Sequence, residues 1–342
     1  MNDLGTLNEL PADYVAALRG ANLVPLWPAL RTLLPPSKPH TTTKTTHWSW
    51  AAIRPLLLRA GALTPIEKAE RRVLVLANPG RGLDSLQASS VIYLGMQLVL
   101  PGETAPNHRH TPNAARIVVE GEGACTVVSG ERCEMRHGDL VLTPSGMWHE
   151  HRHEGRGPFM WLDVLDLPIM VHLDISYVIQ GDAQRGEARG SAYAAPGVVP
   201  RIGGVRTNAR HPLLRFPWTQ TREALRSLAS ATPKDRLVEV AYVNPETGGD
   251  ALDTIAFSAL MLRAGESRRL LPASPARVFH VVEGAGRCRV DEHTLAFEQG
   301  DTFCVPGFAH IELDNDDARE ALCLIVADES PVHRKLGVYE TR

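Results

Sequence analysis

Between Pro101 and His149 the chain carries His108-Arg109-His110, Glu120-Gly121-Glu122-Gly123, Gly138-Asp139 and Pro144-Ser145-Gly146-Met147-Trp148-His149. The apolar runs between them, Ile117 to Val119, Thr126 to Val128 and Leu140 to Leu142, are short and bounded by glycine turns. That is the pattern of brief antiparallel strands. Side chains on a strand alternate faces, so His108 and His110 point the same way. With His149 supplying a third imidazole after a Gly-Asp turn, the stretch reads as a small β-barrel holding one metal. Taken singly, each histidine is explained as well by an ordinary polar strand position. Their convergence favours a shared ion, and imidazole suits iron, zinc, copper or nickel better than magnesium or calcium.

The flanking strands add a cavity. In the nearly apolar run Val91 to Leu100, Tyr93, Gly95 and Gln97 share one face and Leu94, Met96 and Leu98 the other. A mixed small and polar face suits a ligand cavity, with Gly95 leaving room. His151 and His153 continue in phase with His149, which places His151 behind the metal, where a proton-exchanging group is useful. Asp163 and Asp166 interrupt the apolar stretch from Phe159 to Pro168. They need partners, most simply a histidine or an arginine.

The pattern then repeats. Ala264-Gly265-Glu266 follows Pro101-Gly102-Glu103 at 163 positions (264 − 101), and Glu283-Gly284 follows Glu120-Gly121 at 163 (283 − 120). Gly300-Asp301 follows Gly138-Asp139 at 162 (300 − 138), and His310 follows His149 at 161 (310 − 149). A near-constant offset over four turns marks a duplication. At 163, His108 falls on Leu271 and His110 on Ala273, which cannot bind metal. The second copy is therefore expected to be metal-free and to brace the first.

Around these copies the organisation reads as a mainly helical N-terminal arm over 1–70, a metal-bearing barrel over 71–180, a linker and helix over 181–235 and a second barrel over 236–342. Helix-like segments lie at Leu7 to Leu18 and Ala51 to Ala60, and Gln180 to Gly204, rich in Gly, Ala and Arg, reads as a mobile linker. His47-Trp48-Ser49-Trp50 is the arm's most aromatic point, suited either to a partner surface or to local packing. With 44% hydrophobic and 22% charged residues and a net charge of −3, the 342-residue chain offers nothing to nucleic acid. It shows no membrane-spanning run and no signal peptide, so the expectation is a cytoplasmic protein. Five cysteines without CxxC spacing suggest neither a disulfide framework nor a zinc knuckle.

The spacings Gly102-(five residues)-His108-x-His110 and Gly138-(five residues)-Pro144-x-Gly146-(two residues)-His149 resemble the two cupin motifs. Ala114 and Ala115 stand where the usual cupin glutamate is expected, leaving a three-histidine site. The continuous run from Pro101 to His151, "WLDVLDLPI", "AERRVLVLANPG" and "YVNPETGG" are similar to the gentisate and salicylate 1,2-dioxygenases, from about residue 65 onward. This resemblance implies an all-β bicupin core of two jelly-roll barrels, Fe(II), a homotetramer, and O2-dependent cleavage of a hydroxybenzoate ring between its carboxyl- and hydroxyl-bearing carbons. It implies His108, His110 and His149 as iron ligands and His151 with Asp163 as catalytic groups. Arg116, which would meet the substrate carboxylate, Arg72, Gln97, Gly95 and Tyr93 would line the substrate. Tyr93 departs from the tryptophan the family leads one to expect, and Ser145-Gly146-Met147 departs from the bulkier sequence of typical gentisate enzymes.

The chemistry is coherent apart from the resemblance. Three neutral imidazoles leave a divalent ion its full charge and room for a bidentate anion plus O2. The rivals are a 1-hydroxy-2-naphthoate dioxygenase, an O2-independent metal isomerase or decarboxylase, and a bicupin that only binds or stores a small ligand.

Overall fold

The protein is described here as a computed structural model covering residues 4–181, 201–202, 205–206 and 213–342. Most of the segment expected as a mobile linker lies outside the described residues. Residues up to Thr42 form a compact unit of their own, with helices α1 (Ala12–Gly20) and α2 (Leu30–Leu33), neither of which contains a buried residue. Everything from Thr43 onward is a second compact unit. The stretch 1–70 is therefore not one arm but divides at Thr42.

The larger unit begins with β1 (Thr46–Trp48), α3 (Trp50–Leu63) and α4 (Ile66–Ala69). The first barrel follows as β2 (Arg72–Val75), β3 (Tyr93–Val99), β4 (Thr104–His110), β5 (Ala114–Glu120), β6 (Ala124–Val128), β7 (Glu131–Met135), β8 (Leu140–Thr143), β9 (His149–His153) and β10 (Phe159–Leu165), then α5 (Leu167–His172) and β11 (Val178–Gln180). A hairpin of β12 (Arg201–Ile202) and β13 (Val205–Arg206), then β14 (Arg215–Phe216) and α6 (Trp218–Ala231), lead onward. The second barrel comprises β15 (Val238–Tyr242), β16 (Ala256–Leu262), β17 (Ser267–Leu270), β18 (Arg277–Glu283), β19 (Ala285–Val290), β20 (His293–Glu298), β21 (Thr302–Val305), β22 (Ile311–Asp314) and β23 (Leu322–Asp328), closed by α7 (Ser330–Lys335).

Each barrel is a pair of antiparallel sheets. The first combines the order β14-β8-β5-β10-β3-β2 with β11-β4-β9-β6-β7, and the second β1-β21-β18-β23-β16-β15 with β17-β22-β19-β20. This jumping strand order is that of a jelly roll. Inward residues alternate along each strand, and one buried cluster runs from Ile92 and Val141 of the first barrel through Leu225 of α6 to Phe257 and Ile325 of the second. The interior of the second barrel forms a separate cluster around stacked Phe279, Phe297 and Phe303.

The two halves exchange elements. Strand β1 precedes the first barrel yet pairs with β21 of the second, while β14 precedes the second yet pairs with β8 of the first. The helices after these strands pack on the other half: α3 on β2 and β3, α6 on β15 and β16. Neither helix has a side-chain cap of its own. Instead Trp50 N–H donates to Asp301 Oδ1 at 2.7 Å and Trp218 N–H to Asp139 Oδ1 at 2.8 Å, so each helix start is capped by a Gly-Asp turn of the barrel it does not pack on. The turn glycines are required there. Gly138 and Gly300 have φ of 78° and 90°, and a Cβ on either would lie 2.6 or 2.7 Å from the indole of Trp218 or Trp50. His47 completes the second turn at 2.8 Å from Asp301 Oδ2. The His-Trp-Ser-Trp segment thus meets the second barrel of its own chain.

We expect Asp301→Ala, which uncaps α3 and orphans His47, to cost about 1 to 3 kcal/mol in chemical denaturation. His310→Ala, at a side chain that is 82% exposed, should cost less than about 0.5 kcal/mol. Equal stability of both variants would remove the interlock as a stabilising element.

Candidate metal centre

Strands β4 and β9 pair so that His108 lies opposite His149. The register between them shifts between Ala105 and His108, an irregularity of the kind that re-aims side chains near functional sites. The result brings the rings of His108, His110 and His149 to centroid separations of 4.1, 4.8 and 5.5 Å, with one nitrogen from each within 4.8 Å of the others. They are the one such metal-capable group among the described residues.

Which nitrogen faces the centre is fixed by backbone. His108 Nδ1–H donates to the Pro106 carbonyl at 2.8 Å, His110 Nδ1–H to Pro112 at 2.7 Å and His149 Nδ1–H to Met147 at 3.0 Å. A carbonyl only accepts, so each Nδ1 carries the proton and each Nε2 keeps its lone pair. The buried Nε2 of His149 has no hydrogen-bond partner. Such an orphan is costly unless a cation meets it. Burial, then the Arg71 charge, lowers the His108 pKa to about 3, and burial lowers that of His110 to about 4. Burial likewise holds His149 well below the usual range, so all three rings are neutral at physiological pH.

In the second barrel the positions aligned with His108 and His110 hold Leu271, 70% exposed, and Ala273, buried. His310 turns to solvent and pairs with Asp291 at 3.3 Å.

Beside the histidines lies a cavity of about 160 Å³, lined by Arg71, Val73, Tyr93, Gln97, His108, His110, Arg116, His151, Asp163, Leu165 and Leu167. One cross-strand row runs Val75 opposite Gly95, Gly95 opposite Asp163 and Asp163 opposite Arg116, and its last two members line the cavity. Arg116 is buried, its Nε 3.3 Å from Asp163 Oδ1 and its Nη1 bonded to Thr143 Oγ1. Asp163 Oδ1 also accepts the Trp161 indole N–H at 2.9 Å. Burial pulls the Arg116 pKa down to about 10, still cationic, and pushes that of Asp163 up. Asp166 finds no histidine or arginine. It caps the end of β10 by accepting from Asn113 N–H and Nδ2 and from Thr254 Oγ1.

Gly95 lies behind the cavity lining, where a Cβ would come 2.6 Å from Cγ1 of Val73 and 2.7 Å from the hydroxyl of Tyr93, two residues that do line it. Gln97 is buried with its Nε2 unpaired. His151 is buried behind His149, its ring 5.7 Å away and in contact with Trp161 at 5.1 Å.

One residue changes place. Arg72 does not reach the cavity; it is buried on the other face of β2, bonded to Gly61 O and Glu103. Arg71 lines the cavity instead. The signal was in the alternation: β2 pairs Val73 with Gln97, a cavity residue, so Val73 and Arg71 share that face while Arg72, opposite Leu98, points away. With two arginines, one aspartate and neutral histidines, the cavity carries a net positive charge before any metal is counted. It is built for an anion.

A cupin-domain model matches residues 95–165. The gentisate 1,2-dioxygenase of a Ralstonia species is 55% identical over 100% of this chain and 97% of its own length. The 5-aminosalicylate 1,2-dioxygenase of a Comamonas species is 35% identical, covering 93% of this chain and 86% of that one. The crystal structure of salicylate 1,2-dioxygenase from Pseudoaminobacter salicylatoxidans with gentisate superposes with a TM-score of 0.89 at 32% identity, over 100% of this chain and 95% of that one. The chain belongs to the gentisate and salicylate 1,2-dioxygenase family. It is a bicupin dioxygenase with a three-histidine group able to bind a metal, and none of its described helices is long and apolar enough to cross a membrane.

For this dioxygenase we expect one metal per chain by elemental analysis, lost in His108→Ala and kept in His310→Ala; two metals per chain would contradict a single site. Because the rings are neutral far below their usual range, metal binding should release few protons. Affinity of the metal-free protein for Co²⁺, followed by its visible bands, should stay nearly flat between about pH 6 and 8. A tenfold fall across that window would show that the ligands titrate as exposed histidines do.

Proposed function

We propose that this dioxygenase holds iron(II) at His108, His110 and His149 and opens a single-ring 2-hydroxybenzoate, gentisate or a 5-substituted salicylate, between the carboxyl- and hydroxyl-bearing carbons with O2. The observation that carries this reading is the buried Arg116-Asp163 pair, with Arg71 nearby, in one small cavity with His108 and His110 of the three-histidine group. Iron(II) supplies the one-electron chemistry that O2 needs to react with a closed-shell ring.

The protein's own part is binding and orientation. Arg116 and Arg71 take the carboxylate. Arg116 is braced by Asp163 and Thr143, so its planar head is positioned before substrate arrives. His151 takes the proton of the ortho hydroxyl. Val73, Leu165 and Leu167 close on the ring and exclude water. A volume of about 160 Å³ lies below the roughly 300 Å³ at which ordinary ligand pockets begin. A single ring makes a smaller demand on that space than the fused pair of a hydroxynaphthoate.

We propose a homotetramer, as the resemblance of the sequence implies, in the cytoplasm, as its lack of a signal-peptide pattern leads one to expect. We assign residues 71–180 as the catalytic barrel and 236–342 as its metal-free brace.

The deciding assay is O2 uptake by Fe(II)-loaded protein with gentisate, salicylate, 5-substituted salicylates and 1-hydroxy-2-naphthoate. Uptake with the single-ring acids and little with the naphthoate is expected. Turnover under argon would replace this reading with an isomerase or decarboxylase.

Arg116→Lys removes a two-pronged contact worth about 1.5 to 3 kcal/mol, so kcat/KM should fall about ten- to a hundred-fold. A change within about twofold would deny Arg116 the carboxylate. Gly95→Ala should push Val73 and the Tyr93 hydroxyl toward the ring. A misplacement of about 1 Å can cost roughly a hundred-fold, and salicylate, lacking the activating second hydroxyl of gentisate, should lose more. Equal losses on both substrates would refute the selective role of the glycine.

A further inference from the structure

His151 can accept a proton only through a nitrogen that does not already carry one, and nothing on its own strand decides which that is. The neighbouring strand does. Thr126 on β6 lies directly opposite His151 on β9, is fully buried, and places Oγ1 2.9 Å from His151 Nδ1. The same hydroxyl lies 3.2 Å from the sulfur of Met135, a buried residue on β7.

A hydroxyl has one proton to give. If Thr126 gives it to the Met135 sulfur, its oxygen lone pair faces His151 and requires Nδ1–H there. If Thr126 gives it to Nδ1, the sulfur is left unpaired and the imidazole proton must sit on Nε2. The first arrangement uses both contacts the hydroxyl makes; the second uses one. A thioether is a weak acceptor, but in a dry interior a weak partner is better than none.

We propose that Thr126 and Met135 are positioning residues that hold His151 as its Nδ1–H tautomer, so that its bare Nε2 is the atom presented to the substrate. The inference rests on the reading of His151 as the group that takes the hydroxyl proton. In that step the substrate O–H bond breaks, an Nε2–H bond forms, and the imidazolium keeps its Nδ1–H bond to Thr126. No other atom moves.

The arrangement makes unlike substitutions converge. In Thr126→Val, nearly isosteric, an Nδ1–H would be orphaned in the interior, so the proton shifts to Nε2, where the cavity can accept it. In Met135→Leu, conservative in volume, the threonine hydroxyl loses its acceptor and turns to Nδ1, again placing the imidazole proton on Nε2. Thr126→Ser keeps the hydroxyl and should keep the tautomer.

The test is solid-state 15N NMR of histidine-labelled protein with Zn²⁺ in place of paramagnetic iron, His151 being assigned by difference from His151→Gln, paired with gentisate kinetics of the iron enzyme. Wild type and Thr126→Ser should show a protonated Nδ1 and a bare Nε2, and Thr126→Val and Met135→Leu a protonated Nε2. Loss of such an outer partner costs about ten- to a hundred-fold, so kcat should fall by that factor in Thr126→Val, with KM changed less than about threefold and Thr126→Ser near wild type. A wild-type His151 with its proton on Nε2, or spectra that do not respond to either substitution, overturns the proposal. Full-rate turnover by His151→Gln overturns the base role instead, and the spectra still decide the tautomer.

Discussion

Two carboxylates hold this molecule's halves to each other. Asp139 of the first barrel caps α6, which packs on the second, and Asp301 of the second caps α3, which packs on the first. A helix start leaves donors unpaired, and a buried start without acceptors is expensive. Neither Pro217 nor Ser49 at the cap position supplies an acceptor from its side chain. Each helix therefore completes its hydrogen bonding only when the other barrel is present.

The same reciprocity recurs at a second pair. Asp166, at the end of β10, accepts from Asn113 and from Thr254 of the second half, and Glu329, at the end of β23, accepts from Ala276 and from Ser89, Ser90 and Val91 of the first. Residues 166 and 329 are separated by 163 positions (329 − 166), the offset of the repeat. The repeat thus keeps the carboxylates that join the copies, while Leu271 and Ala273 stand where the first copy has His108 and His110.

The metal centre inherits this rigidity. Its three histidines come from two strands of one sheet, and each ring is locked by a carbonyl only two residues away. Such local locks need no long-range agreement. The row on the facing sheet does need it, because Arg116, Asp163, Gly95 and Val75 come from four strands and meet only through register. The cavity's charge and its narrowness are therefore properties of the sandwich, not of any segment.

That division is also the division between what the residues disclosed and what the fold added. Period-two alternation put His108 and His110 on one face and Tyr93, Gly95 and Gln97 on another, because a strand's geometry is fixed by its own backbone. The near-constant offset disclosed the duplication, because turns keep their glycines wherever φ must be positive. The resemblance placed Arg72 at the cavity, and local reasoning gave Asp166 an arginine or a histidine; the structure has neither. Adjacent residues on a strand face opposite ways, so choosing between Arg71 and Arg72 required the pairing of β2 with β3. Asp166 lies beyond its strand, in a cap whose other members are 53 and 88 residues distant. The crossing of β1 and β14 into the opposite barrels, and the bond from His151 to Thr126, have no trace in local pattern. They are contacts between segments far apart in the chain, and only the packed sheets decide which of the many possible partners a buried donor meets.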